Sequence, residues 1–97
     1  MNTKAKIRYR KQERLVKQAN ERVRSCLTGD QRKIILLASR GYAAEEISRE
    51  LALPVTYVDN FRNGMIQKLI NDGLIPSPDW NNVVKWALAI DLIEPPD

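Results

Sequence analysis

Two tight chain reversals divide the segment from Leu27 to Leu69 into three short helices, and that division constrains the fold more than any other feature. In the first helix Ile34, Ile35, Leu37 and Ala38 recur at helical spacing, and the pattern stops at Gly41, a residue suited to the left-handed position that closes a helix. The second opens with Ala43 and Ala44 and carries Ile47 and Leu51 on one face. Glu45 and Glu46 sit in its first turn, where carboxylates favour the positive end of the helix. Ala52-Leu53-Pro54 then forms a corner too short for anything but a sharp change of direction. A longer helix follows, with Val58, Phe61, Met65, Ile66 and Leu69 as its inner face and Tyr57, Asp59, Asn60, Asn63 and Gln67 turned outward.

Beyond Leu69, Ser77-Pro78-Asp79 reads as the cap of a further apolar helix containing Trp80, Val83, Val84, Ala87 and Ile90. Its apolar residues form two adjoining lines, Trp80, Val84 and Ala87 beside Val83, Trp86 and Ile90. A helix apolar over that much of its circumference needs a second surface to bury against. The expectation is a homodimer contact through Val83, Trp86 and Ile90. The plainer alternative packs one indole on the domain and lays the other flat on the surface. At the other end, Tyr9, Val16, Ala19, Val23 and Cys26 recur at three- and four-residue spacing, interrupted by Gln12, which predicts one long basic helix. The expected division is an arm at 1–26 and a domain at 27–97.

Charge separates the same two parts. Residues 1–25 hold nine cations against Glu13 and Glu21, a balance of +7, so within a net +4 the remainder carries −3. The 97 residues suffice for one domain with a small core. With no His, one Cys and no glycine-rich phosphate loop, the usual general bases, metal ligands and activated nucleophiles are missing, so neither an enzyme nor a cofactor is expected. Cys26 has no partner for a disulfide and reads as a small apolar residue at a helix junction. No apolar run reaches the length of a membrane span, and the basic start lacks the apolar core of a signal peptide. A stand-alone cytoplasmic protein is expected.

The order Leu27-Thr28, Ile34-Ile35, Leu37, Gly41, Glu46-Ile47, Leu51, Val58 and Lys68-Leu69 resembles the LuxR/GerE-type helix-turn-helix domain, and Val84, Trp86-Ala87 and Leu92-Ile93 resemble that family's last helix and exit. The likeness covers roughly residues 27 to 93. It implies an all-α, four-helix fold preceded here by the basic N-terminal helix, bacterial transcription regulation by binding double-stranded DNA, and dimerisation through the last helix. The chain departs from the family pattern in four places. Asp30-Gln31 replaces an Arg-Glu pair, Pro54 replaces a capping Ser, Phe61 replaces a frequent His, and Ile70 to Asp79 is longer than usual. The fourth region of a bacterial sigma factor has a similar three-helix pattern but no need of the capped apolar helix after it.

In a helix-turn-helix the second of two angled helices enters the major groove. The resemblance places base contacts on Asp59, Asn60 and Asn63. Asn pairs bidentately with adenine, and Asp accepts from the amino group of cytosine but is repelled by phosphate. Thr56, Tyr57, Arg62 and Lys68 are placed for phosphate, and Arg8, Arg10, Lys11 and Arg14 of the arm make good the acidic remainder, unless the arm is simply a solvated basic helix. Gly64 weakens its helix by about 1 kcal/mol relative to Ala, either as a tolerated defect or to admit a close partner. A second function class stays open, in which the module keeps its fold but binds another regulatory protein.

Overall fold

The computed structural model describes residues 3–94, with side chains from Arg14 onward, and among them there are five helices and no strand. They are α1 (Thr3–Cys26), α2 (Gly29–Ser39), α3 (Ala44–Leu51), α4 (Val55–Asn71) and α5 (Trp80–Ala89). The all-α expectation holds. No helix of the described residues is long and apolar enough to cross a membrane, and no group of His, Cys, Asp and Glu among them is arranged to hold a metal.

Local chemistry sets the boundaries. Thr28 and Gln31 form a reciprocal cap at the start of α2. The Thr28 hydroxyl accepts from the Gln31 amide at 3.2 Å, and the Gln31 side chain accepts from the Thr28 amide at 3.0 Å. The residue that breaks the family's Arg-Glu pattern is thus a helix cap. At the start of α3 the Glu46 carboxylate accepts from the Ala43 amide at 3.1 Å. Asp79 caps α5 by accepting from the Asn81 amide at 3.0 Å, while Asn82 donates to the Ser77 hydroxyl at 2.8 Å.

The chain leaves each of α2 to α5 by one device, a left-handed residue past the last turn, at Gly41 (φ 91°), Ala52 (φ 54°), Gly73 (φ 69°) and Asp91 (φ 58°). At the first of these, the Gly41 amide donates to the Ala38 carbonyl and the Tyr42 amide to the Leu37 carbonyl, both at 3.1 Å, closing the exposed helix end. Ala52 and Asp91 hold this conformation without glycine's freedom, at about 1–2 kcal/mol each. Ala52 is stabilised by its surroundings. The Leu53 amide donates to the Ser48 carbonyl at 3.0 Å, and the Ser48 hydroxyl donates to the Leu53 carbonyl, locking the corner. Pro54, standing where the resembled family has a capping Ser, is the N-cap of α4, its carbonyl accepting from the Tyr57 and Val58 amides.

Two apolar clusters result. The larger is built from Val23 of α1, Ile35 of α2, Met65 and Leu69 of α4, Ile75 of the α4–α5 link, Val83, Trp86 and Ala87 of α5, and Leu92-Ile93 of the exit. The smaller is Ile34, Ile47 and Val58, one residue each from α2, α3 and α4, with Leu37, Leu51 and Leu53 packed around it. Phe61 touches both.

The core reaches back across the sequence division at residue 26. Ala19 is 7% exposed and Val23 only 1%, so the last two turns of α1 belong to the domain's core. Polar contacts reinforce the joint. The Trp86 indole donates to the Asn20 side chain at 2.8 Å, and the Arg24 guanidinium donates to the Ile90 carbonyl at 3.3 Å. Arg32 of α2 donates to the Arg24 carbonyl at 3.2 Å.

Candidate nucleic-acid interface

α3 packs on α2 and α4, and the locked corner at Ala52-Leu53 fixes the direction in which α4 departs. Val58, Met65 and Leu69 turn α4 inward. Its opposite side, Thr56, Asp59, Asn60, Asn63 and Gln67, is exposed as expected, with Tyr57 38% exposed. At about 100° of rotation per residue, Thr56, Asn60, Asn63 and Gln67 fall within a sector of about 60°, whereas Asp59 lies about 100° from Asn60 toward one edge. The structure therefore brings Asn60 and Asn63 together on the centre of the free face and leaves Asp59 beside it.

Neither Asn60 nor Asn63 is engaged by another side chain among the described residues, so both amides present a donor and an acceptor to solvent. Gln67 is partly committed, donating to the Asn71 side chain at 3.0 Å. Tyr57 is steadied by the Gln31 amide, which donates to its hydroxyl at 3.4 Å and ties the start of α4 to the start of α2. Gly64 is exposed at the edge of that sector opposite Asp59, and a Cβ built on it meets nothing within 4 Å. No neighbour within the fold requires a glycine there.

The phosphate set is only partly where sequence reasoning put it. Lys68 is exposed, as are Thr56 and Tyr57. Arg62 is not free. It is half-buried with its guanidinium 5.0 Å from the centroid of the Trp80 ring, drawn over the indole by the negative π face, so it links α4 to α5 instead of facing outward. Trp80 itself is half-buried, and its indole N–H is buried without a partner among the described residues. On the arm, Arg14 is exposed, with Lys17 and Arg22. Arg8, Arg10 and Lys11 lie in α1, but their side chains are outside the described residues, as is that of Tyr9.

The residues expected at a dimer contact lie inward within the single chain. Val83 is fully buried, Trp86 is 7% exposed and Ile90 is half-buried with its carbonyl held by Arg24. The surfaces that α5 needed are supplied within the chain, by α2 and α4 on which it packs and by Val23 of α1 and the exit residues Leu92 and Ile93. The missed signal was Asn20, three residues before Val23 of the apolar stripe, which offers the Trp86 indole an acceptor. Comparison with known protein families, with characterised proteins and with solved structures finds no match to this chain.

Proposed function

We propose that this chain binds double-stranded DNA through α4, as a bacterial transcription regulator built like the LuxR/GerE-type helix-turn-helix that its sequence resembles. One observation carries the reading: Asn60 and Asn63 share the exposed face of a helix that is braced by α3 and by the locked corner. An unpaired amide on a rigid helix is suited to the adenine edge in the major groove. Lys68, Thr56 and Tyr57 flank that face for phosphate, and the exposed cations of α1 supply the sequence-independent attraction that the acidic remainder lacks. Asp59, at the edge, is suited to a cytosine amino group.

Selection of bound sites from random duplexes, followed by binding of Asn60→Ala and Asn63→Ala, tests this. Each substitution is expected to cost about 1–3 kcal/mol on the selected site and little on random DNA. An equal effect on both would remove the base-reading role.

A second reading has its own support. Glu45, Glu46 and Glu50 are exposed on α3, beside Asp59, and acidic groups near a reading helix oppose a polyanion. In that reading the face binds another regulatory protein. Retention on a DNA column separates the two, because a duplex binder is displaced by salt with a slope of about 0.9 per phosphate neutralised and a protein binder does not enter the column.

A further inference from the structure

Large apolar side chains left exposed lie in two places of opposite charge. On α1, Leu15 is 61% and Val16 48% exposed, flanked by the exposed cations Arg14 and Lys17, with Arg22 further along and Glu21 offsetting one of the three charges. In the second place, Tyr42 (36%) and Val55 (37%) bracket α3, with Tyr57 (38%) following on α4; α3 exposes Glu45, Glu46 and Glu50, and the next helix exposes Asp59. Arg40 and Arg49 offset part of that negative charge.

We propose that these surfaces bind each other between two copies of the chain. α1 of one protomer lies on α3 and its flanking corners in its partner, and the partner's α1 returns the contact, giving a reciprocal two-fold dimer. The occupant follows from charge and from what is anchored. Within one chain α1 is pinned on the large cluster by Val23 and by the Asn20–Trp86 hydrogen bond, and a continuous helix cannot fold back onto α3. Pairing α1 with α1 would set like charges together, and the apolar faces of α5 are already buried. A second copy offers the missing acidic and apolar surface, and the two-fold operation makes the contact twice. Occupied in this way, the α1 cations are withheld from any polyanion, so assembly and nucleic-acid binding compete.

Sedimentation of the full chain tests the proposal at about 0.1 mM protein, where a micromolar dimer is formed. A dimer is expected at about 0.1 M salt and a monomer at about 1 M, as the screening length falls from about 10 Å to about 3 Å. Glu45→Lys with Glu50→Lys, and separately Arg14→Glu with Lys17→Glu, should each weaken the dimer at least about tenfold while leaving the helical circular dichroism unchanged, since all four residues are exposed. Glu46 is left alone because it caps α3. Mixing the two variants should restore a mixed dimer, because both reciprocal contacts then regain opposite charges. A wild type that sediments as a monomer at the lower salt, a dimer indifferent to both variants, or a mixture that fails to recombine would each overturn the proposal, and none of these outcomes depends on whether the chain binds DNA.

Discussion

Ile34 and Ile35 are neighbours on α2, both fully buried, yet they enter different cores. Ile35 joins a cluster that gathers both ends of the chain, from Val23 to Ile93. Ile34 joins a cluster that, apart from itself, rests on Ile47 and Val58. The first is closed by contacts between residues far apart in sequence and decides whether the molecule folds. The second is local, small, and holds the corner that aims α4. The proposed reading face therefore depends on the smaller of the two cores, to which α3 contributes a single fully buried side chain, Ile47.

Five substitutions or deletions probe that contrast, in falling order of effect. Deleting residues 2–24 removes Val23 from the large core, together with the buried Ala19 and the Asn20 acceptor of Trp86, and the remaining chain should lose its cooperative urea transition. A chain starting at residue 14 retains every buried residue of α1 named here and should keep that transition. Trp86→Ala should cost about 3–5 kcal/mol by urea denaturation, with all helices lost together. A stable, folded Trp86→Glu monomer would contradict the placement of this indole inside a single chain.

Ile47→Ala should cost about 2–5 kcal/mol but act locally. Hydrogen exchange is expected to accelerate in α3 and at the Ala52-Leu53 corner well before α5, and uniform acceleration would show that the two clusters unfold as one. Asn20→Ala leaves the buried Trp86 N–H without its acceptor and should cost about 1–3 kcal/mol. The smallest effect has the opposite sign. Gly64→Ala should stabilise the chain by about 0.5–1 kcal/mol, since the added Cβ meets nothing in the fold. Weaker duplex binding by the same variant would mean that glycine is there to let a partner approach, and unchanged binding would make it a tolerated defect.

Much of the middle of the molecule was legible in the sequence because its determinants are local. Gly41 ends α2, Glu46 caps α3, Asp79 caps α5, and the inward set Val58, Met65 and Leu69 follows from helical spacing alone. The ends were harder. Whether the apolar circumference of α5 is met by a second molecule or by α1 depends on a hydrogen bond between residues separated by 66 positions, which no periodicity reports. Arg62 was misplaced for the same kind of reason. Its register on α4 suits phosphate, but Trp80 lies close enough across the α4–α5 angle to claim it. The exposed amides of Asn60 and Asn63, by contrast, needed only the helix register.

Both tryptophans stand at joints between helices, and only two are present in the chain. Trp86 touches α1 through Asn20, whereas Trp80 lies beneath the Arg62 guanidinium of α4. The molecule thus carries its own pair of fluorophores, one at the seam of the basic helix and one at the back of the proposed reading helix. With Trp80 replaced by Phe, emission reports detachment of α1; with Trp86 replaced by Phe, it reports displacement of α4. Events at the two seams become separable by wavelength and quenching without any label being added.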